Sequence, residues 1–207
     1  MNEKAKWICH PQDGDENRLV PVFRKAFTVK KQIQSAKLSL CAHGLYEAQL
    51  NGQAVTDHKF TPGLTSYYHR IQVQTYNVTT LLHEGENLWQ TTVGDGWWRW
   101  NSNYGYRLAL WGQLELTYAN GSVEIIGTDE SFEVGTGPVV KTDLQKGETY
   151  DARIVPGNWT QAVAETAHTD AELISQQGIP VREKERFAGK LFRDSAGNYI
   201  FKTDWEA

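Results

Sequence analysis

The chain has 207 residues, of which 40% are hydrophobic and 22% are charged, and its 21 basic and 25 acidic side chains leave a formal net charge of −4. This length suits one large β domain, or one domain with the beginning of a second. The weakly acidic balance gives no electrostatic reason to bind nucleic acid or an anionic membrane, and no apolar run approaches the roughly 18 residues of a membrane span. We therefore expect neither a nucleic-acid partner nor a membrane partner.

The N-terminal residues and the cysteine content predict a reduced, cytoplasmic protein. Residues 1–10 contain two lysines but no apolar stretch of signal-peptide length. Cys9 and Cys41 are too few for a disulfide framework, and Cys41 falls in an alternating segment that favours a half-buried free thiol.

Alternating apolar and polar residues, the period of a half-buried strand, recur along most of the sequence. They predict strands, in chain order, over 22–29, 36–42, 46–50, 71–78, 88–93, 108–118, 123–125, 132–134 and 138–141. Asn51-Gly52 and Asn120-Gly121 each separate two such segments and predict hairpins, because both residue types tolerate a positive φ. Residues 79–82 predict one helical turn. Turn signals roughly every 8–12 residues favour an all-β fold, an antiparallel sandwich of jelly-roll type.

The composition changes after Trp159 and predicts a domain boundary there. Residues 161–177 are polar and rich in alanine, with weak helical character. We therefore expect an N-terminal β-sandwich module over 1–160 and a linker over 161–180. Further strands are predicted over 181–187 and 199–201, so that 181–207 would begin a following β domain that the sequence leaves truncated.

The candidate binding site is the aromatic cluster that follows the strand at 88–93. Two glycines, Gly94 and Gly96, allow a sharp turn around a carboxylate, and tryptophans, an asparagine and a tyrosine follow. Sugars suit this mixture, because their C–H faces stack on aromatic rings while their hydroxyls pair with carboxylates and amides. The predicted substrate-binding residues here are Asp95, Trp97, Trp98, Trp100, Asn101 and Tyr104. The alternative is that the tryptophans close the open end of the sandwich.

A second candidate motif runs from Gly147 to Arg153. Glu148 is predicted to join the substrate-binding residues if the segment 139–150 lies beside the strand at 88–93. Glu148 and Asp151 do not make a convincing catalytic pair, because an inverting pair needs carboxyl groups roughly 6.5–9.5 Å apart across a cleft. A structural or domain-interface role is favoured instead, with an ion pair of Asp151 with Arg153, or of Glu148 with an arginine, that fixes the loop. No catalytic residue is predicted in this chain, and its six histidines show no zinc-site spacing.

Five motifs in this order resemble one known family. They are Gly44-Leu45-Tyr46-Glu47-Ala48-Gln49-Leu50-Asn51-Gly52, Pro62-Gly63-Leu64-Thr65-Ser66-Tyr67, Thr75-Tyr76-Asn77-Val78-Thr79 with Gly85-Glu86-Asn87, Gly94-Asp95-Gly96-Trp97-Trp98, and Gly147-Glu148-Thr149-Tyr150-Asp151-Ala152-Arg153 with Trp159. From Trp7 to Trp159 the sequence resembles the N-terminal β-sandwich of bacterial α-L-rhamnosidases of glycoside hydrolase family 78. Residues 180–201 resemble the entry into the next β domain of those enzymes, and the likeness ends after Phe201.

The resemblance implies a galactose-binding-like sandwich that serves as a non-catalytic accessory module. Enzymes of this family cleave terminal α-L-rhamnose with inversion, using carboxylates in a large (α/α)₆ barrel that has no counterpart in this sequence. The implied partners are a rhamnose-containing glycoside and the catalytic domain of the same polypeptide. No cofactor is required, but some similar sandwiches bind rhamnose through calcium. Asp95 is then the candidate calcium ligand, with Asn101, Asp143 and Glu148 as neighbours.

Two functions remain open from the sequence. The chain is either a module that holds or extends a sugar site, or a purely structural sandwich that packs on the catalytic barrel without binding sugar. A self-sufficient hydrolase is disfavoured, because no opposed pair of carboxylates is evident.

Overall fold

Strands build this fold almost entirely. A computed structural model describes residues 5–100 and 104–203, and within those ranges the helical structure is one 3-10 turn at Thr79–Leu81. The strands of the first half are β1 Ile8–Cys9, β2 Pro21–Val29, β3 Ile33–His43, β4 Leu45–Leu50, β5 Gln53–Ala54, β6 His58–Lys59, β7 Arg70–Asn77 and β8 Gly85–Gly94. Those of the second half are β9 Ala109–Tyr118, β10 Val123–Gly127, β11 Glu133–Thr136, β12 Val139–Asp143, β13 Gly147–Tyr150, β14 Gly157–Gln161, β15 Val163–Ala164, β16 Glu172–Ser175, β17 Val181–Arg182, β18 Gly189–Arg193 and β19 Tyr199–Thr203.

Two large sheets form a sandwich, which confirms the predicted all-β fold. The first sheet has seven strands in the order β15-β1-β9-β3-β7-β16, with β10 also paired to β9. The second has six strands in the order β14-β11-β2-β8-β4-β5. Small two-stranded sheets pair β12 with β13, β6 with β17, and β18 with β19. The pairing is antiparallel throughout these sheets except between β16 and β7, which run parallel.

The two predicted hairpins and the helical turn are confirmed. β4 turns into β5 at Asn51-Gly52, where φ is 53° and 77°. β9 turns into β10 around Asn120-Gly121, with Gly121 at φ 80°. Asn51 is also fixed by tertiary structure, because its side-chain amide donates to the Leu81 carbonyl and its side-chain oxygen accepts from the Leu88 N–H.

The core lies between the inner faces of the two sheets. Leu38 and Leu114 face each other in register on β3 and β9, and both are fully buried. Trp89 comes from the opposite sheet and is also fully buried, with its indole N–H donating to the Thr91 hydroxyl at 2.9 Å. Gly112 allows this close packing, because a Cβ there would lie 2.9 Å from the Trp89 ring.

The segment 161–180, predicted as a linker, supplies two short strands to the first sheet. β15 pairs with β1 at one edge, and β16 pairs with β7 at the other. Both edges carry open backbone hydrogen-bonding groups, which a short segment can pair with despite having no hydrophobic period of its own. The division into domains at 160 and 181 stays a prediction. Of the strand predicted over 181–187, only Val181–Arg182 (β17) forms a strand. The strand predicted over 199–201 corresponds to β19.

No helix in the described ranges is long and apolar enough to cross a membrane.

Candidate functional site: the groove beside Asp95

A groove opens where the second sheet ends beside the β12–β13 hairpin. It consists of two adjoining cavities of about 470 Å³ and about 510 Å³. The residues that line both cavities are Val20, Asp95, Thr142, Asp143, Gly147 and Glu148. We call this feature the Asp95 groove. It brings Asp95, Asp143 and Glu148 to one place, as expected if the segment 139–150 lies beside β8.

The position of Asp95 follows from the turn after β8. Gly96 has φ 53°, and a Cβ there would lie 2.5 Å from Leu45 Cγ, so the glycine lets the chain turn closely over β4. The Asp95 backbone N–H donates to the Thr142 hydroxyl at 2.8 Å, which attaches the β12–β13 hairpin to the end of β8. The groove is therefore bounded on one side by a tight turn and on the other by the hairpin.

The Asp95 carboxylate lies between two arginines. Arg18 donates to Oδ2 at 2.7 Å, and Arg99 approaches Oδ1 at 3.3 Å. Asp95 is 8% exposed. Burial raises its pKa, and the charges of Arg99 and Arg18 oppose that shift without cancelling it.

Arg99 in turn belongs to a buried ion pair. Its guanidinium donates to Asp13, and both side chains are almost completely buried. Asp13 also accepts hydrogen bonds from the backbone N–H groups of Leu19 at 2.9 Å and Leu108 at 2.8 Å. This network holds the N-terminal segment against the connection between β8 and β9, which fixes the turn that carries Asp95.

This arrangement does not fit a calcium ion at Asp95. Calcium needs six to eight oxygen ligands, whereas two guanidinium groups already occupy the oxygens of this carboxylate and would repel a cation. Among the described residues no group of three or more His, Cys, Asp or Glu is arranged to hold a metal ion. Asn101, the other predicted neighbour, lies outside the described residues.

The predicted tryptophans occupy different environments. Trp98 is 1% exposed, its ring stacks on His43 with centroids 4.0 Å apart, and its N–H donates to the Arg107 carbonyl at 2.9 Å. A side chain this deep offers no surface to a ligand. Trp97 is half-buried, and its ring centroid lies 6.3 Å from that of Phe60, which lines the Asp95 groove. Trp100 is half-buried as well.

Tyr104 belongs with Trp98 rather than with the groove. Its ring centroid lies 4.9 Å from that of Tyr67, and its carbonyl accepts from the Tyr68 hydroxyl at 3.0 Å. The aromatic cluster of the sequence thus separates into the buried Trp98 with the half-buried Tyr104 packed beside it, and the half-buried Trp97 near the groove.

The two acidic residues of the motif at 147–153 also lie in different environments. Glu148 is exposed on β13 and lines both cavities of the groove. Asp151 accepts two hydrogen bonds from the Arg153 guanidinium, at 2.8 Å and 2.6 Å, which confirms the predicted ion pair. Three residues at the groove were not predicted from the sequence, namely Arg18, Lys59 and Phe60. The fold brings them to the groove, and no local sequence pattern distinguishes them.

One family of known proteins matches this chain both in sequence and in fold. The family described as α-L-rhamnosidase N-terminal domain matches residues 31–188. The chain is 42% identical over 211 residues to an α-L-rhamnosidase of Streptomyces avermitilis, covering 90% of this chain and 20% of that protein. The crystal structure of an Aspergillus terreus α-L-rhamnosidase superposes with a TM-score of 0.84 at 31% identity, covering 96% of this chain and 25% of that chain.

A further solved structure is that of the Streptomyces avermitilis α-L-rhamnosidase in complex with L-rhamnose. It matches with a TM-score of 0.79 at 34% identity, over 84% of this chain and 18% of that chain. The chain spans about a fifth of the length of the curated relatives it matches. The family match runs from β3 to β17 and includes Asp95, Thr142, Asp143, Gly147 and Glu148 of the Asp95 groove, whereas Val20 lies before it. The chain therefore belongs to the α-L-rhamnosidase N-terminal domain family.

Proposed function

We propose that this chain is the non-catalytic N-terminal accessory module of an α-L-rhamnosidase that hydrolyses terminal α-L-rhamnose, and that the Asp95 groove contacts carbohydrate. The observation that carries the proposal is the groove itself, in a chain whose relatives are α-L-rhamnosidases. Each of its two cavities lies within the range of about 300–1,000 Å³ typical of small-molecule sites.

The lining of the groove suits a sugar. Leu45, Phe60 and Leu144 provide apolar surface, while Lys59 and Glu148 provide charged groups that hydrogen-bond hydroxyls. The methyl group of a deoxy sugar such as rhamnose would gain from burial against the apolar part, at about 0.8 kcal/mol per buried carbon.

The carboxylates of this region favour a non-catalytic role. Asp95 is held by two arginines and Asp151 by Arg153, so each is committed to an ion pair. Asp143, the other acidic residue beside Glu148 in both cavities, accepts hydrogen bonds from the backbone N–H groups of Gln145 and Lys146. The catalytic carboxylates are then expected in another domain of the same polypeptide, which is the proposed partner of this module.

The test is a titration of the purified 207-residue chain with L-rhamnose, followed by calorimetry. We expect saturable binding in the millimolar range, weakened about tenfold by Glu148→Ala because a charged hydrogen bond is lost. Glu84→Ala removes an exposed carboxylate far from the groove and serves as the control. Binding that is absent, or that Glu148→Ala leaves unchanged, would contradict the proposal for the groove.

Calcium enters the same experiment as a separate arm. Asp95 can serve as a calcium ligand only if Arg18 leaves its carboxylate, so we expect the affinity for L-rhamnose to be the same in calcium and in a chelator. A calcium-dependent affinity would show that the ion pair opens and would restore Asp95 as a metal ligand.

A second candidate function is a sandwich that only packs against the catalytic domain. It is favoured by exposed apolar side chains at the end of the β12–β13 hairpin and just after it, where Tyr150 is 59% exposed and Val155 78% exposed. Failure of the chain to bind L-rhamnose, together with its stable association with a separately produced catalytic domain, would support this function over the first.

A further inference from the structure

The chain contains two Asn-Gly pairs, and the structure places them in hairpin turns with different surroundings. Asn51-Gly52 joins β4 to β5, and Asn120-Gly121 joins β9 to β10. The glycine has a positive φ in both turns, 77° at Gly52 and 80° at Gly121, and no atom beyond the adjacent residues lies within 4 Å of either Cβ position. The two glycines are therefore equally unobstructed, and the turns differ in the contacts of their asparagines.

An asparagine followed by glycine can lose ammonia without an enzyme. The backbone nitrogen of the glycine attacks the side-chain carbon Cγ, so that a C–N bond forms and the Cγ–Nδ2 bond breaks. Ammonia leaves with the proton of the glycine N–H, and a five-membered succinimide ring remains. Water then opens this ring, giving aspartate when it attacks Cγ and isoaspartate when it attacks the main-chain carbonyl carbon. Glycine favours the first step because it has no side chain to hinder the approach.

The Asn51 carboxamide is held at both of its ends. Its nitrogen donates to the Leu81 carbonyl at 2.9 Å and to the side-chain oxygen of the buried Asn87 at 2.8 Å. Its oxygen accepts from the Leu88 N–H at 2.8 Å. The attack on Cγ requires the carboxamide to rotate, which would break all three hydrogen bonds. The folded state therefore protects Asn51.

Asn120 is exposed, and its carboxamide is bonded only through the oxygen. The N–H and the hydroxyl of Ser122 donate to this oxygen, at 3.1 Å and 2.7 Å. They polarise the carbonyl group that is attacked and fold the carboxamide back over the turn. In the described part of the chain the Asn120 Nδ2, which is the leaving group, donates no hydrogen bond, so ammonia can depart directly into water.

The attacking nitrogen at Gly121 is restrained only by the turn itself. Its N–H donates to the Tyr118 carbonyl at 2.8 Å, at the tip of the hairpin. Within the described ranges β10 pairs with β9 alone, so this hairpin lies at the margin of the first sheet. Local opening of an exposed turn costs little free energy compared with the opening of a core strand.

We propose that Asn120 is a site of spontaneous deamidation in this chain, and that the fold protects Asn51, the asparagine of the other Asn-Gly pair. The reaction needs only water as co-reactant, and it adds one negative charge at the tip of the β9–β10 hairpin. It goes beyond the proposed function, because Asn120 does not line the Asp95 groove and the modification requires no ligand.

The test is incubation of the full chain in mildly alkaline buffer, followed over time by tryptic digestion and mass spectrometry. Asn51 falls in the peptide 38–59 and Asn120 in the peptide 108–141, and each is the one asparagine of its peptide. We expect conversion at Asn120 to be at least about tenfold faster than at Asn51, because three hydrogen bonds must break at Asn51. In Asn120→Gln the conversion in 108–141 should stop, since the six-membered ring of a glutamine forms far more slowly.

The same measurement on the chain unfolded in guanidinium chloride separates the fold from the local sequence. Both carboxamides are free there, so the two rates should approach each other. A ratio below about tenfold in the folded chain, or no conversion at Asn120, would overturn the proposal. A ratio that is unchanged in the unfolded chain would overturn it as well, since the difference would then come from neighbouring residues rather than from the contacts of Asn51.

Discussion

Three glycines meet at the corner that carries Asp95. Gly44, between β3 and β4, has φ 129°, and a Cβ there would overlap the carbonyl oxygen of Gly94. Gly94 in turn leaves only 3.1 Å between its own Cβ position and the Thr142 side chain, and Gly96 turns over Leu45. The glycines of two separate sequence motifs are therefore needed for one close backbone contact beside the groove.

This contact leads to a prediction for Gly44→Ala. The substitution places a methyl group against backbone at a strained φ, so we expect the free energy of unfolding to fall by about 3 kcal/mol. Gly52→Ala is the matched control, because Gly52 also has a positive φ of 77° but nothing within 4 Å of its Cβ position. There the expected loss is about 1 kcal/mol. Urea unfolding measures both, and equal losses would refute the close contact.

At the scale of the element, one aspartate joins segments that lie far apart in sequence. Asp13 accepts from the Arg99 guanidinium, from the Leu108 N–H at the start of β9, and from the Leu19 N–H before β2. The N-terminal segment is thereby attached to the turn that positions Asp95, although it contributes only the two-residue strand β1 to the sheets.

We expect Asp13→Asn to lower the free energy of unfolding by about 3–5 kcal/mol, because it leaves the buried Arg99 charge without its partner. Asp15→Asn, two residues away and exposed, should change it by less than about 0.5 kcal/mol. Urea unfolding of the two variants gives the comparison. If the two variants lose the same stability, the Asp13–Arg99 pair does not hold the segment.

The elements that the sequence predicts well are those with a local signal. β4–β5 and β9–β10 combine alternation with Asn-Gly, and both follow from the residues themselves. β15 and β16 have no such signal. Edge strands of two to four residues form because an open sheet edge offers unpaired backbone hydrogen-bonding groups, which the local sequence does not reveal. Neighbouring tryptophans look equivalent in sequence, yet only tertiary packing places Trp98 in the core and Trp97 near the groove.

At the scale of the whole molecule, a ring stack connects parts of the chain that lie far apart in sequence. His43 at the end of β3 lies between Trp7, 4.1 Å away, and Trp98, 4.0 Å away. His168, in the segment that joins β15 to β16, packs edge-on against Trp98, with ring centroids 5.8 Å apart. The N-terminal segment, the first sheet and the turn beside the Asp95 groove therefore meet at one fully buried imidazole, and the segment that joins β15 to β16 reaches the same stack through Trp98.

Burial is the main cause that lowers the pKa of His43 to about 3, and the nearby His168 charge contributes in the same direction. In the unfolded chain the pKa of this imidazole returns to about 6.5. The folded state thus keeps its full stability above about pH 6.5 and loses up to about 1.4 kcal/mol for each pH unit below it, until the folded pKa near 3 is reached.

The prediction is checked by urea unfolding between about pH 7.5 and about pH 5, where exposed carboxylates are largely ionised in both states. His43→Phe keeps a flat ring in the stack but removes the titration, so its stability should change less with pH than that of the parent chain. The reason is that the unfolded variant no longer takes up a proton at this position. His69→Phe, at an exposed histidine, should retain the steep dependence. If His43→Phe shows the same pH dependence as the parent chain, His43 is protonated in the folded state and the stack tolerates its charge.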